Sequence, residues 1–246
     1  MAHVLEGNQL YKSFGGLMAT NGVDFYLETG EILGLIGPNG SGKTTLFNLI
    51  AGVFKPDKGR IEFGGRDITG IGCATVCQLG IARTFQITRP FPVLTVLENV
   101  QLGRAYGSNP AKTLEQAHLE ADEIVKFIGL SLKRNVPAGR LGVIDRKRLE
   151  LGKALSTKPK VLLLDEIMAG LNPTEVMAAI ELVKQIRDSG ISLIVIEHMM
   201  KAIMGICHRV VVLNAGKKIA EGNPREVVCD KGVIEAFLGE DQDAED

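Results

Sequence analysis

The residue run with the plainest chemistry is Gly37-Pro38-Asn39-Gly40-Ser41-Gly42-Lys43-Thr44, with Thr45 directly after it. Glycines frame a loop that closes in Lys-Thr, which is the spacing of a phosphate-binding loop. Backbone N–H groups must come close to phosphate oxygens there, and side chains would stand in the way. A helix opening behind the loop adds a dipole that favours an anion. On this pattern Lys43 reaches the β- and γ-phosphates of a nucleoside triphosphate, and the Thr44 hydroxyl ligates Mg2+. Gly37 through Thr45 are therefore candidate nucleotide contacts, and Lys43 is also a candidate catalytic residue.

A second chemical feature is Val161-Leu162-Leu163-Leu164-Asp165-Glu166. An apolar strand ending in an acid puts Asp165 at the carboxyl edge of a sheet, where it can hold Mg2+ directly or through water. Glu166, one residue on, stands where a base could orient an attacking water. The pattern recurs at Ile191 to Ile196, an apolar strand that ends in Glu197-His198. A histidine at that edge can hydrogen-bond a γ-phosphate. His3, His118 and His208 have no such setting and read as structural or surface residues.

These residues need a frame of alternating strands and helices. Val4 to Leu10 and Val23 to Leu27 read as strands joined through a Gly15-Gly16 turn. Ile32 to Ile36 is a short branched run bounded by Gly30 and Gly37, which predicts a buried strand. A helix is expected from Gly42 to Ala51, then a strand at Ile61 to Phe63. From Thr95 to about Leu155 the pattern turns helical, with Leu114, Ala117, Ala121, Ile124 and Ile128 at helical steps. Strands resume at Val161 to Leu164 and Ile191 to Ile196, around a helix from Pro173 to Asp188. Val210 to Leu213 and Lys217 to Ala220 predict a hairpin at Gly216, and the tail from Glu240 is acidic. The fold class expected is α/β, a nucleotide-binding core with a helical insertion.

Composition narrows the partners. Hydrophobic residues at 45% and charged residues at 23% allow a buried core over 246 residues and argue against disorder. A balance of 28 basic to 29 acidic residues lacks the basic footprint of a nucleic-acid partner. No apolar run approaches the roughly 20 residues that cross a bilayer. The opening Met1-Ala2-His3-Val4-Leu5-Glu6-Gly7 has no basic-then-apolar export pattern, so a soluble intracellular chain is expected. Cys73, Cys77, Cys207 and Cys229 have no zinc-site spacing and are expected as reduced, packed thiols.

Taken in order along the chain, these motifs resemble the ATPase subunits of ABC transporters. Gln86, in Arg83-Thr84-Phe85-Gln86, looks like the Q-loop glutamine that senses Mg2+ and faces the membrane partner. Phe14 matches the aromatic that stacks on adenine, and Asp165 and Glu166 match the Walker B aspartate and catalytic glutamate. Ala169-Gly170-Leu171-Asn172 resembles the D-loop and His198 the switch histidine. Leu94-Thr95-Val96-Leu97-Glu98-Asn99-Val100, Ile196-Glu197-His198 and Ala236-Phe237-Leu238-Gly239-Glu240 look like the branched-chain amino-acid importer ATPases, which also take amides and short-chain or aromatic acids. The resemblance implies a P-loop ABC ATPase core with an N-terminal antiparallel β subdomain and an inserted α-helical subdomain. The expected division is 1–94 with 159–246 as core and 95–158 as insertion. It also implies ATP and Mg2+, with Thr44, Gln86 and Asp165 as metal contacts. The implied partners are a second ATPase subunit, transmembrane permease subunits and, indirectly, a substrate-binding protein. Its implied place is peripheral, at the cytoplasmic face of the membrane.

The chain departs from that family at one motif. Where Leu-Ser-Gly-Gly-Gln is usual it has Leu141-Gly142-Val143-Ile144-Asp145, losing the serine hydroxyl and adding branched side chains. In the family this signature serves the ATP held by the opposite subunit, so its loss should weaken the partner's site rather than this chain's own. The expectation is a heterodimer with a signature-complete partner. Ile167 stands where proline is usual and Met199 where an acid is common. A soluble ABC ATPase acting on DNA or ribosomes would carry coiled-coil insertions or tandem domains, and a GTPase would carry Asn-Lys-x-Asp. This sequence has none of these.

Overall fold

The computed structural model describes residues 3–85, 88 and 90–243, with side chains to residue 237. The chain forms two compact units, residues 1–73 with 168–246, and residues 74–167.

The first unit opens with β1 (His3–Phe14) and β2 (Leu17–Glu28), an antiparallel pair turning at Gly15-Gly16. β3 (Ile32–Ile36) and α1 (Lys43–Ile50) follow, then β4 (Lys58–Phe63) and β5 (Arg66–Asp67). The antiparallel sheet runs β2-β1-β4-β5. Its strands alternate as a one-faced sheet should, with Val23, Phe25 and Leu27 buried along β2. β1 bulges at Gln9, whose φ is 49°. Asp24 holds the bulge by accepting both the Gln9 backbone N–H and its side-chain amide at 2.6 Å.

The second unit contains α2 (Cys73–Leu79), β6 (Ile81–Arg83), α3 (Val96–Tyr106), α4 (Leu114–Phe127), α5 (Val143–Ser156) and β7 (Val161–Asp165). β6 and β7 pair in parallel, with Ile81 opposite Val161 and Arg83 opposite Leu163. α3 packs on α4 and α5. Inside that layer the Arg104 side chain is 1% exposed; its Nε donates to Glu120 at 2.7 Å and its Nη1 to the Asn109 carbonyl at 2.9 Å. Lys158 and Gln116 also bond Glu120. With Lys158 the largest influence, these bonds pull the Glu120 carboxyl down to about 2.

The chain then returns to the first unit through α6 (Pro173–Asp188), β8 (Ser192–Ile196), α7 (Met200–Ile206), β9 (Arg209–Asn214), β10 (Lys217–Gly222), α8 (Pro224–Val227) and α9 (Lys231–Asp243). β3 pairs in parallel with both β8 and β9. β3 and β8 are buried at every position, which is why they read as unbroken apolar runs. Gly34 lets β9 and α7 close on β3, since a Cβ there would meet Val210 at 2.8 Å and Cys207 at 3.0 Å. His208 is structural, its Nδ1 accepting the Ile32 N–H at 3.0 Å. Arg209 ties the layers together, donating to Glu31, Glu221 and the Tyr26 carbonyl while its guanidinium lies 3.8 Å from the Tyr26 ring.

All four cysteines are free thiols, but two are not packed. Cys73, which opens α2, and Cys229, in the turn after residues 224–227, are exposed.

Candidate functional site

The loop between β3 and α1 is shaped by backbone packing. Gly37 has φ 144°, and a Cβ there would lie 2.0 Å from the Leu213 carbonyl oxygen. Gly42 caps α1 at φ 104°, and a Cβ there would lie 2.3 Å from the Ala19 oxygen. Neither position can take a side chain. The Gly216 N–H at the β9–β10 turn donates to the Ser41 carbonyl at 3.0 Å, and the Asn21 N–H of β2 donates to the Gly216 carbonyl at 2.7 Å. Three segments thus clamp one loop. Lys43 is 6% exposed, with Nζ donating to the Gly37 and Pro38 carbonyls at 2.7 Å each and 3.5 Å from Ser41 Oγ. Asn39, Gly40 and Thr44 face outward, and Thr45 is half-buried.

Phe14 ends β1, 42% exposed, with its edge against Phe54 at 5.2 Å between centroids. The strand end before it is pinned by Asp57, which accepts from Lys12 Nζ at 2.8 Å and from the Ser13 N–H at 2.7 Å. Those bonds, Lys12 first, draw the Asp57 carboxyl down to about 2. An exposed, braced ring suits stacking on a flat heterocycle.

His198 follows β8 and is exposed, while Glu197 beside it is only 3% exposed. The Met168 N–H donates to Glu197 Oε1 at 2.9 Å, so this acid anchors the turn 167–170 that leads into α6. The sequence reading gave Glu197 no role. Its burial is set by long-range packing, which spacing does not reveal. Asn172 then caps α6 in a reciprocal box with Glu175.

In the second unit Asp165 closes β7 with its side chain 3% exposed, and Arg83 Nη2 donates to its Oδ2 at 2.7 Å. The Asp165 N–H donates to Thr84 Oγ1 at 3.1 Å, and the Thr84 N–H to the Leu163 carbonyl at 2.9 Å. Glu166, next along, has φ 49°, a strained value for a residue with a side chain and one that clusters at functional sites. Lys147 Nζ, from α5, donates to the Glu166 carbonyl at 3.3 Å. Gln86 lies outside the described residues.

Thr44 in the first unit offers a hydroxyl and Asp165 in the second a carboxylate, each by itself a hard oxygen donor of the kind that Mg2+ takes. A Mg2+ completed by phosphate oxygens and water needs no protein cage, and among the described residues no three His, Cys, Asp or Glu converge. Each donor, taken singly, is of the type that ion prefers.

The sequence profile of the ABC transporter family matches residues 20–169, more than half of the chain. This chain belongs to the ABC transporter family. It is an ATP-binding, ATP-hydrolysing subunit, with the α/β cassette fold expected from its motifs. A second profile, the branched-chain amino acid ATP-binding cassette transporter, matches residues 217–243. The high-affinity branched-chain amino acid transport ATP-binding protein LivG of Salmonella typhimurium is 38% identical over 250 residues, 96% of this cassette and 98% of that protein. The probable LivG of Methanocaldococcus jannaschii is 35% identical over 96% of this cassette and 98% of its own length. Among solved structures, the ADP conformation of MJ1267, an ATP-binding cassette of an ABC transporter, superposes with TM-score 0.88 at 34% identity, covering 97% of this cassette and 100% of that chain. No described helix of the cassette is long and apolar enough to cross a membrane.

Two further parts of the cassette stand in the second unit. The aberrant signature opens α5 behind Gly142, which has no side-chain cap, φ −67° and nothing within 4 Å of a built Cβ. Val143 after it is 72% exposed. The other part is a groove of about 360 Å³ lined by Phe91, Leu102, Tyr106, Lys153 and Thr157. Asn99, 1% exposed, shapes its rim by bonding both the N–H and the carbonyl of Phe91 and the carbonyls of Leu94 and Thr95. Thr95 and Glu98 complete a capping box on α3.

Proposed function

We propose that this chain is the motor subunit of an importer for branched-chain amino acids or related small carboxylates and amides, at the cytoplasmic face of the membrane. The observation that carries the cargo class is the match of residues 217–243 to the branched-chain amino acid cassette profile. Relatives that bear that transport name along their whole length support it. The division into a core of 1–94 and 159–246 and a helical subdomain of 95–158 belongs to the same reading.

ATP lies on the loop 37–45, with Phe14 against the adenine. Lys43 exchanges its loop carbonyls for phosphate oxygens, an ammonium traded from neutral to charged acceptors. Thr44, Asp165 and Gln86 would hold Mg2+, which would neutralise charge on the phosphates when bound. Glu166 orients the attacking water and His198 bonds the γ-phosphate, so that catalysis is positioning and electrostatics. The groove at Phe91 and Tyr106 takes a permease segment, since large side chains exposed on a concave surface favour a partner there.

Closure requires a second ATPase subunit. With Gly142 and Val143 in place of Ser-Gly, this chain closes best on a signature-complete partner in a heterodimer. The deciding test is light scattering of the Glu166→Gln protein with saturating Mg-ATP, next to its turnover. Turnover should vanish while ATP binding persists, and the protein should remain monomeric until the partner is added. Full residual turnover removes Glu166 from its role, and dimerisation of this chain alone removes the heterodimer. A strain deleted for the gene should lose uptake of leucine, isoleucine and valine; normal uptake of all three overturns the cargo.

A further inference from the structure

Arg83 and Asp165 lie in two of the motifs, but the ion pair between them has no part in the functional reading. Both side chains are nearly enclosed, at 8% and 3% exposure, and the contact is 2.7 Å. An ionised carboxylate so deeply buried requires a cation beside it. The register explains why Arg83 is that cation. Arg83 lies opposite Leu163 in the parallel pair, and Leu163 and Asp165 share a face by the two-residue strand period. The arginine therefore reaches one step diagonally to the acid. It also sits on the segment leading out of the strand, its guanidinium 5.4 Å from the ring of Phe85, which is 47% exposed.

We propose that Arg83 is a positioning residue that stands in for the metal at Asp165, so that Mg2+ competes with it for the carboxylate. The proposal rests on the reading of Asp165 as a Mg2+ ligand. Guanidinium and Mg2+ are both cations seeking the same buried carboxylate, so each weakens the other's hold on it. Arg83 holds the Asp165 carboxylate aimed while metal is away, and it raises the Mg2+ concentration at which nucleotide is held. Its release on metal binding frees the guanidinium beside Phe85, which carries the ion's arrival to the chain leaving β6.

The test uses the full chain with ADP and a Mg2+ titration followed by calorimetry, so no turnover is read. In Arg83→Gln the Mg2+ concentration for half-maximal enhancement of ADP affinity should fall about tenfold. ADP affinity in EDTA should not change, and Arg83→Lys should stay near the parent. Thermal unfolding gives the second readout. The loss of melting temperature in Arg83→Gln should be large in EDTA and mostly recovered in Mg-ADP, whereas an arginine that only braced the fold would cost the same in both. An unchanged or higher Mg2+ requirement in Arg83→Gln overturns the proposal. Asp165→Asn separates the two levels. It should abolish the Mg2+ dependence, and if it keeps the parent's dependence, the assignment of Asp165 as ligand fails and the displacement idea with it.

Discussion

Helices α1 and α5 both start behind a glycine, Gly42 in one unit and Gly142 in the other, and neither start has a side-chain cap. Their backbones differ. Gly42 sits at φ 104° with the Ala19 oxygen 2.3 Å from where a Cβ would be, whereas Gly142 sits at φ −67° in open space. The first glycine is dictated by packing and by a left-handed backbone. The second position would accept any small residue, including the serine usual in the family. Folding therefore does not explain Gly142.

Alanine at each position breaks or keeps that contrast. Gly42→Ala forces a Cβ onto a backbone oxygen and should cost about 3 kcal/mol or more, from left-handed strain and the shift of β2. ATP binding should be lost with it. Gly142→Ala should cost only about 0.5–1 kcal/mol, the amount by which alanine is the poorer cap. Urea unfolding and an ATP titration of both variants check this. Equal destabilisation would mean that the two loops are held alike.

The unit that carries α5 also holds an ionic cluster, between α3 and α4. Glu120, with its carboxyl drawn down to about 2 by Lys158 and Arg104, is held below the ordinary 4.5. A lowered folded value means that the stabilisation is complete above about pH 4.5 and is lost as pH falls toward 2, where the unfolded chain takes up the proton first. The contribution is on the order of 2 kcal/mol, with its partial exposure allowed for. Glu120→Gln should flatten the acid limb of the stability profile between pH 5 and 2. A profile parallel to the parent's would assign the limb to other carboxylates.

Much of this was legible in sequence for physical reasons, and the gaps are physical too. β3, β7 and β8 are buried on both faces, so unbroken apolar runs announce them. The phosphate loop was legible because its glycines answer a steric demand that nothing else meets. β6 has three residues and β5 two, too few for a period to show. α2 buries only Val76, and α8 is a single turn after Asn223, which leaves little stripe to find. The partners of Arg83 and Glu197 lie 82 and 29 residues away, set by sheet register and loop packing rather than local spacing. Their neighbours in the motifs were recognised, but their own contacts were not.

Gly142→Ser sharpens the comparison from the other side. At the cap position a serine hydroxyl can accept from the backbone N–H groups opening α5, worth about 0.3 kcal/mol over glycine. With Gly142→Ser on the Glu166→Gln background, Mg-ATP should produce a dimer by light scattering where the parent remains monomeric. A variant that gains stability yet stays monomeric would shift the block to Val143 and Ile144, the branched residues that follow.

The smallest effect lies in the turn that clamps the phosphate loop. Asn214 pairs with Lys217, leaving Ala215 and Gly216 as a two-residue hairpin loop with φ of 45° and 75°. Such turns favour Asn-Gly, because asparagine tolerates positive φ and alanine does not. Ala215→Asn should therefore stabilise the chain by about 0.5–1 kcal/mol. Gly216 would still donate to the Ser41 carbonyl, so ATP affinity should stay within about twofold, a shift of under ~0.5 kcal/mol. A larger change in affinity would show that the strain at Ala215 is transmitted to the loop through that single hydrogen bond. The clamp would then be a participant in nucleotide binding, a role that nothing around the open Gly142 shares.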